Sequence, residues 1–279
     1  MSSVPAFGRY SHAIVSRIPN SFVKCMPTSD NGMINVDEAR REHEQYCKVL
    51  RSLGLDVIEL PQDETFPESP FVDDTAVVIN GVALICRPGH PSRVKEVDTI
   101  RAIIKKELKL PVVEIADPKA TIDGGDVLFT GREIFVGLSQ RTNESGARAV
   151  AAAFPEYPVT PIRIPNKLLH LKSCLSMAGN DILCVSASQE SQEILRRIVR
   201  EATHRYHTLT VPENSAANCL YINGTLIYRS EFTNCGNIFE DKIDYNKIGL
   251  KIWELSKPGS NLTSLAILVR KARQIHTIV

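Results

Sequence analysis

Charged side chains stand at the ends of apolar runs in the middle of this 279-residue chain. The densest group is Asp123-Gly124-Gly125-Asp126, which leads directly into an apolar run that begins at Val127. Glycines let a backbone approach another group closely, and the two flanking carboxylates could hold a cation. A tight turn with solvated acids has the same local sequence, so this group alone leaves both interpretations open.

Other chemically capable residues occur at comparable places. Asp73 and Asp74 precede a hairpin pattern, and His170 precedes another. Arg93 and Arg141 each follow a hairpin, where a helix is predicted to begin. Taken singly, these residues have ordinary explanations as turn acids, surface arginines and a structural histidine, which is the more common role of a histidine. Their common position at the ends of strands is what favours a shared site.

Together, these residue types describe one kind of ligand. Carboxylates suit a cationic group, and the planar forks of two arginines match a carboxylate. A histidine among them can transfer a proton. A molecule that is cationic at one end and a carboxylate at the other is an arginine-like amino acid. We therefore predict a site for such a ligand, provided that the fold brings these residues together.

A repeated pattern supplies the elements that would position them. Apolar strands around a Gly-containing turn, a helix and a further strand recur at intervals of roughly 40 to 55 residues, and Asn80-Gly81 and Asn223-Gly224 are type I′ hairpin signals. The pattern predicts one α/β domain over residues 1–279, arranged as a propeller of about five ββαβ units. The last strand, within 262–269, is expected to pair with a strand at 12–17. An open doubly wound sheet is disfavoured because no Gly-rich phosphate loop is present.

The sequence also predicts local features near the N-terminus and in the last repeat. Residues 20–34 are polar and long enough to form a lid loop. Asp37 is predicted to cap the first helix. In the last repeat, a helix is predicted in the 240s and a strand at 251–255.

Composition excludes several classes of protein. Hydrophobic residues make up 43% and charged residues 23%, as in ordinary globular proteins. Lys and Arg number 33 against 32 Asp and Glu, so no basic surplus indicates a nucleic-acid partner. The apolar runs fall short of the roughly 18 residues that span a membrane. The first residues lack the apolar segment of a secretion signal, and the seven cysteines form no C-x-x-C pair, so reduced thiols and a cytoplasmic location are expected.

The middle of the chain also carries motifs of a known family. They are Phe71-Val72-Asp73-Asp74, Arg87-Pro88-Gly89 through Arg93, Asp123-Gly124-Gly125-Asp126 through Glu133, Val136-Gly137-Leu138-Ser139, Arg141-Thr142-Asn143 and His170-Leu171-Lys172-Ser173, together with residues 6–13. With these motifs the chain resembles the dimethylarginine dimethylaminohydrolases of the guanidino-group-modifying, or pentein, superfamily. The resemblance spans nearly the whole chain. It is specific through 71–179 and weak in 20–40 and 229–260.

The resemblance implies a five-bladed α/β propeller that hydrolyses asymmetric dimethylarginine and monomethylarginine to citrulline and a methylamine. In that chemistry, a cysteine thiolate attacks the guanidinium carbon and a histidine protonates the leaving amine. No metal or organic cofactor is implied, and the partner is the small-molecule substrate. By position, the resemblance assigns the general acid and base to His170, the guanidinium contacts to Asp74 and Asp123 with Asp73 beside them, the α-amino end to Glu68, and the α-carboxylate to Arg93 and Arg141.

The chain departs from the family pattern where the nucleophile is expected. Ser264 stands at the position of the cysteine, and a serine hydroxyl is a much weaker acid than a thiol, whose pKa is about 8.5. Pro258, in a segment that lines the family's pocket, can offer a carbonyl but no N–H. Cys174 and Cys219 fit buried core thiols better than replacement nucleophiles. We therefore predict a site that holds its substrate and barely turns it over. The alternatives are a non-catalytic methylarginine-binding or scaffold protein, and a deiminase or amidinotransferase that acts on unmethylated arginine.

Overall fold

Short strands and Gly-containing turns form a ring of small sheets. The computed structural model describes residues 7–25 and 32–270. In these residues, fifteen strands form five sheets of three strands each. In every sheet, an antiparallel pair is followed through a helix by a third, parallel strand. This is the predicted ββαβ unit, repeated five times.

The first sheet joins the two ends of the described chain: β1 (His12–Ser16), α1 (Val36–Ser52), β2 (Asp56–Leu60) and β15 (Ile267–Val269). The second consists of β3 (Ala76–Ile79), β4 (Val82–Ile85), α2 (Val97–Lys106) and β5 (Val112–Glu114). The third consists of β6 (Val127–Phe129), β7 (Ile134–Leu138), α3 (Glu144–Ala153) and β8 (Val159–Arg163). The fourth consists of β9 (Leu175–Gly179), β10 (Ile182–Ser186), α4 (Gln189–Glu201) and β11 (His207–Val211). The fifth consists of β12 (Leu220–Ile222), β13 (Thr225–Arg229), α5 (Thr233–Lys242) and β14 (Asn246–Leu250).

The last strand closes the ring, as predicted. β15 pairs antiparallel with β1, with His12 opposite Val269 and Ile14 opposite Ile267. The two predicted hairpin turns are also confirmed. Asn80 and Gly81 have φ angles of 48° and 82°, the left-handed conformation that a type I′ turn requires at both central residues.

The core consists of apolar clusters that lie between neighbouring sheets. Successive side chains of a strand point to opposite faces, so one strand serves two clusters. In β4, Ile85 packs with Ile14 and Ile267 of the first sheet. Leu84, the preceding residue, packs instead with Val136 of the third sheet. Each sheet is therefore stabilised on both sides by burial against its neighbours, which is why the repeats form a single ring.

Two local predictions are wrong. Residues 251–255 do not form a strand: β14 ends at Leu250, and Trp253–Ser256 form a short helix, α6. The reason is tertiary, because Ile252 and Leu255 are buried in the cluster that also holds residues of α1, and residues three apart share one face only in a helix. The helix predicted in the 240s is also wrong, because α5 ends at Lys242 and Asn246–Leu250 form β14.

The N-terminal predictions have a mixed outcome. Asn35, and not Asp37, caps α1, and its side chain accepts the N–H of Glu38. Residues 26–31 of the predicted lid loop lie outside the described residues. Its beginning, Asn20–Lys24, forms a 3-10 helix in which Phe22 packs on Phe71. Among the described residues, no helix is both long and apolar enough to cross a membrane.

Candidate active site

In each sheet, a short 3-10 turn comes before one strand of the antiparallel pair. The five turns, called the inner turns below, are Val72–Thr75, Gly124–Asp126, Leu171–Ser173, Ser215–Ala217 and Leu262–Leu265. The turns at 72–75, 124–126 and 171–173 lie side by side, and the turn at 262–265 contacts the one at 72–75. Residues that flank different inner turns therefore meet, although they are far apart in sequence.

Two carboxylates face the predicted catalytic histidine. Nε2 of His170 lies 2.9 Å from Asp123 Oδ2 and 3.8 Å from Asp74 Oδ1. The acids are nearly inaccessible to solvent, with exposed fractions of 5% for Asp74 and 2% for Asp123. Main-chain N–H groups hold both of them: Gly125 donates to Asp74 Oδ1 at 2.9 Å, and Gly89 donates to Asp123 Oδ1 at 2.8 Å. The fold thus brings together three residues that the sequence singled out.

The carboxylates determine the charge of His170. Burial alone would lower its pKa, but the negative charges of Asp74, Asp126 and Asp123 outweigh burial and raise the pKa to about 9. The imidazole is therefore protonated at neutral pH and can donate a proton. Burial would also raise the pKa of Asp74, yet the charges of His170 and Arg93 lower it. Asp74 is thus held as a carboxylate.

The same three residues could bind a metal. One ligand atom from each of Asp74, Asp123 and His170 lies within 4.8 Å of the others. Two oxygens and one imidazole nitrogen are donors that suit several divalent cations. The expectation that no metal is required stays a prediction.

The guanidinium of Arg93 is bonded to groups of the protein itself. Its guanidinium is buried and donates from Nη1 to Asp74 Oδ2 at 2.5 Å and from Nη2 to Glu96 at 2.9 Å and to the Phe71 carbonyl at 2.9 Å. Its Nε lies 3.3 Å from the half-buried carboxylate of Glu68. The predicted contact of Arg93 with an α-carboxylate therefore stays a prediction. What the structure adds is Glu96, which sequence reasoning missed although it lies one helical turn after Arg93.

Arg141 differs from Arg93 in having no bonded partner for its guanidinium among the described residues. Its guanidinium is half-buried and makes no hydrogen bond or ion pair with the residues that the structure describes. Its main chain packs directly on Gly89, where an added Cβ would lie 2.3 Å from the Arg141 carbonyl oxygen. Because Gly89 also donates to Asp123, Arg141 stands next to the carboxylate cluster. It remains available for an anionic group of a ligand.

Both carboxylate oxygens of Asp126 accept hydrogen bonds from the protein, so Asp126 acts on the His170 cation through its charge and not through a direct contact. This refines the interpretation of the Asp-Gly-Gly-Asp sequence as a pair of cation ligands. Asp126 is fully buried, and its carboxylate accepts the Leu171 N–H at 2.8 Å and the Ser139 hydroxyl at 2.6 Å. Ser139 in turn accepts the Arg141 N–H at 2.9 Å. Burial raises the pKa of Asp126 to about 6. Asp126 thus links the turn after His170 to the loop that carries Arg141.

Asp73 points to a different partner from Asp74. Its carboxylate forms an ion pair with Lys172 Nζ at 2.7 Å, although burial raises the pKa of Asp73. Both side chains line a cavity that extends between the innermost strands towards Phe7 and Tyr221. Asp73 therefore lies beside the His170 cluster, as predicted by position, and is neutralised there by a lysine.

Ser264 lies in the inner turn Leu262–Leu265 and is half-buried. Its Oγ accepts the main-chain N–H of Asn261 at 3.2 Å. The same arrangement occurs after His170, whose N–H donates to Ser173 Oγ at 3.1 Å. Asn261 is held in turn by Arg229, a buried residue that donates to its side chain at 3.3 Å. Ser264 is thus part of a tightly bonded turn.

The remaining predicted residues have simpler positions. Pro258 is half-buried and follows Lys257, whose ammonium lies 2.8 Å from Glu254. All seven cysteines lie in the described ranges and are buried, so the interpretation of Cys174 and Cys219 as core thiols is confirmed. The roles predicted for Pro258 and Glu68 stay predictions.

Comparison with known proteins finds relatives over most of the chain. A family model described as N,N dimethylarginine dimethylhydrolase, eukaryotic, matches residues 16–223. Human DDAH2 is 35% identical over 273 residues, covering 94% of this chain and 95% of that protein. The N(G),N(G)-dimethylarginine dimethylaminohydrolase of Pseudomonas aeruginosa is 29% identical over 223 residues, covering 78% of this chain and 84% of the relative.

Solved structures match over a similar extent. A cysteine-to-serine mutant of the Pseudomonas aeruginosa DDAH, complexed with citrulline, superposes with a TM-score of 0.81 at 26% identity and covers 94% of this chain and all of that chain. The N-terminal domain of ArgZ, a cyanobacterial arginine dihydrolase, has a TM-score of 0.75 at 17% identity over 93% of this chain and 98% of its own, which supports the fold alone. The predicted pentein propeller is thereby confirmed, and the chain belongs to the dimethylarginine dimethylaminohydrolase family.

Proposed function

We propose that this protein binds methylated arginine between Asp74, Asp123 and Arg141, and that Ser264 leaves hydrolysis to citrulline slow or absent. The observation that carries the proposal is the pair of buried carboxylates around His170, with Arg141 nearby, whose guanidinium has no partner in the part of the chain that the structure describes. Family membership supports an amidine hydrolase, and the near-zero net charge supports a small-molecule ligand over a nucleic acid. The buried free cysteines fit a reducing compartment such as the cytoplasm.

Charge and geometry both suit a guanidinium. The main-chain N–H groups of Gly125 and Gly89 fix the two carboxylates, and a planar guanidinium can donate to both. Three carboxylates, Asp74, Asp123 and Glu96, stand against two cations, Arg93 and protonated His170, which leaves one negative charge for a cationic head. Arg141 would receive the α-carboxylate, since its guanidinium has no partner among the described residues.

The same charges argue against efficient turnover. A serine nucleophile needs a neighbouring base to remove its proton. With its pKa raised to about 9, His170 already carries a proton at neutral pH and so is suited to donate one to the leaving amine. A cysteine could attack as a thiolate, because a cationic neighbour lowers its pKa. The citrulline complex of the Pseudomonas aeruginosa cysteine-to-serine mutant is compatible with binding in the absence of the thiol.

A non-catalytic methylarginine-binding protein is the second candidate. The hydrogen bond from the Asn261 N–H to Ser264 Oγ favours it, because Ser173 accepts the His170 N–H in another inner turn in the same way, so the serine hydroxyl is accounted for by the turn itself. In this second candidate function, Ser264 stabilises the turn, and the site binds methylarginine without hydrolysing it. Calorimetry distinguishes a binding site from an enzyme when it is combined with a product assay.

The test measures citrulline formation from asymmetric dimethylarginine by the parent protein and by Ser264→Cys, with Ser264→Ala as the matched control. Calorimetry with the same ligand is run on all three. We expect binding by all three and citrulline only from Ser264→Cys. Binding without citrulline from any of them would establish the non-catalytic reading. Absence of binding by all three would overturn the proposal.

A further inference from the structure

We propose that Asn218 is a positioning residue that fixes the turn carrying Ser264 against the turn that follows His170. It would thereby set the separation between the nucleophile position and the proton donor. This inference rests on the proposed function, because only a catalytic arrangement requires that separation. Asn218 was not singled out by its sequence context.

The side chain of Asn218 joins the fourth and first sheets. Its Nδ2 donates to the Lys172 carbonyl at 2.8 Å and to Thr263 Oγ1 at 2.7 Å, and its Oδ1 accepts the Thr263 N–H at 3.0 Å. Lys172 is two residues after His170, and Thr263 immediately precedes Ser264. The amide of one residue is therefore the direct connection between the two turns.

No other side chain of this size provides the same set of bonds. Both amide hydrogens and the carbonyl oxygen of Asn218 are used, and the residue is only 1% exposed. The orientation of the amide follows from its partners, because a main-chain carbonyl needs a donor and a main-chain N–H needs an acceptor. Aspartate would lack the donors, and alanine would leave both main-chain groups unpaired in a buried place.

The residues proposed to bind the ligand are held by other contacts. Gly125 and Arg93 hold Asp74, and Gly89 holds Asp123. None of the hydrogen bonds of Asn218 goes to these residues or to Arg141. Loss of the Asn218 bonds should therefore affect the chemical step more than ligand binding. Misplacement of reacting groups by about 1 Å can reduce a rate roughly a hundredfold.

The test uses the Ser264→Cys protein as parent and adds Asn218→Ala or, as a milder change, Thr263→Val. Thr263→Val keeps the main-chain bond to Asn218 and removes only the hydroxyl. We expect kcat to fall about thirtyfold or more for Asn218→Ala and several-fold for Thr263→Val, with KM and the Kd for dimethylarginine within about threefold.

Asn214→Ala is the matched control, because Asn214 stands at the other end of the same inner turn and accepts hydrogen bonds from Ser188 and Ser191. It should lower the melting temperature and leave kcat unchanged. The inference is overturned if kcat of Asn218→Ala stays within twofold of the parent. If Asn218→Ala does not fold, the same criterion applies to Thr263→Val. A rise in KM for Asn218→Ala as large as its fall in kcat would also overturn the inference, because the change would then affect ligand binding as much as the chemical step.

A readout without turnover separates this inference from the proposed function. In Ser264→Cys, the introduced thiol is alkylated with iodoacetamide over a range of pH. If Asn218 holds this thiol near the His170 cation, Asn218→Ala should shift the alkylation profile to higher pH, and Asn214→Ala should not. A Ser264→Cys protein that forms no citrulline would contradict the catalytic proposal, whereas an unchanged alkylation profile would contradict the role of Asn218.

Discussion

Gly125 donates its main-chain N–H to Asp74 Oδ1 at 2.9 Å from a position where no side chain fits. A Cβ added to Gly125 would lie 2.7 Å from His170 Nδ1 and 2.9 Å from Asp74 Oδ1. The glycine thus allows the turn after Asp123 to lie directly against the imidazole and the carboxylate. This close approach explains the need for glycine better than turn conformation does, since Gly125 has no positive φ.

Gly125→Ala is therefore expected to displace His170 or Asp74 and to weaken dimethylarginine binding by about tenfold or more, because one charge-assisted hydrogen bond is roughly 1.5–3 kcal/mol. Calorimetry measures the loss. Gly236→Ala is the control: an added Cβ there meets nothing closer than 3.5 Å, so binding should not change. Equal affinities for Gly125→Ala and the parent would refute the close contact.

Arg141→Ala should weaken dimethylarginine binding several-fold or more while leaving the melting temperature nearly unchanged. Its guanidinium makes no bond with the described residues, so its removal costs the fold little. Arg148→Ala, which removes an exposed arginine of α3, serves as control. If Arg141→Ala binds as tightly as the parent, the α-carboxylate is recognised elsewhere.

Arg93→Ala should act mainly on stability. It leaves Asp74 and Glu96 buried without their counter-ion, and breaking a buried ion pair costs about 3–5 kcal/mol. Denaturant unfolding measures the change in free energy. Arg101→Ala, which breaks exposed ion pairs with Asp98 and Glu114, should cost less than about 1 kcal/mol. Similar losses for the two variants would show that the buried cluster is not as tightly paired as its distances indicate.

His170 makes stability depend on pH with a defined sign. Its pKa is about 9 in the folded protein and 6.5 in the unfolded chain, so the folded state binds the proton more tightly. Its contribution to the free energy of unfolding is fully present below pH 6.5 and is lost as the pH rises through 9. The difference in unfolding free energy between the parent and His170→Gln should therefore shrink from pH 6.5 to 9.5. A difference that is constant over this range would contradict the raised pKa.

Local sequence determined the repeats and several of their boundaries. Asn80-Gly81 adopts the left-handed conformation that its residue types favour. The repeat predicted a last strand within 262–269 that pairs with the N-terminal strand, and β15 does so. The grouping of Asp74, Asp123 and His170 also followed from their common place before the hairpins. These features depend on neighbouring residues or on the period of the pattern, so they can be predicted from the sequence alone.

Tertiary structure alone decided the partners. Arg93 pairs with Asp74, Asp126 accepts the Leu171 N–H, and Asn218 joins Lys172 to Thr263. These bonds span 19 to 46 residues of sequence, and no local pattern specifies them. The helix at Trp253–Ser256 arose in the same way, because burial against α1 outweighed an apolar run typical of a strand. The sequence therefore indicated which residues could form a site, and the closure of the ring decided which of them lie together and which hold the others in place.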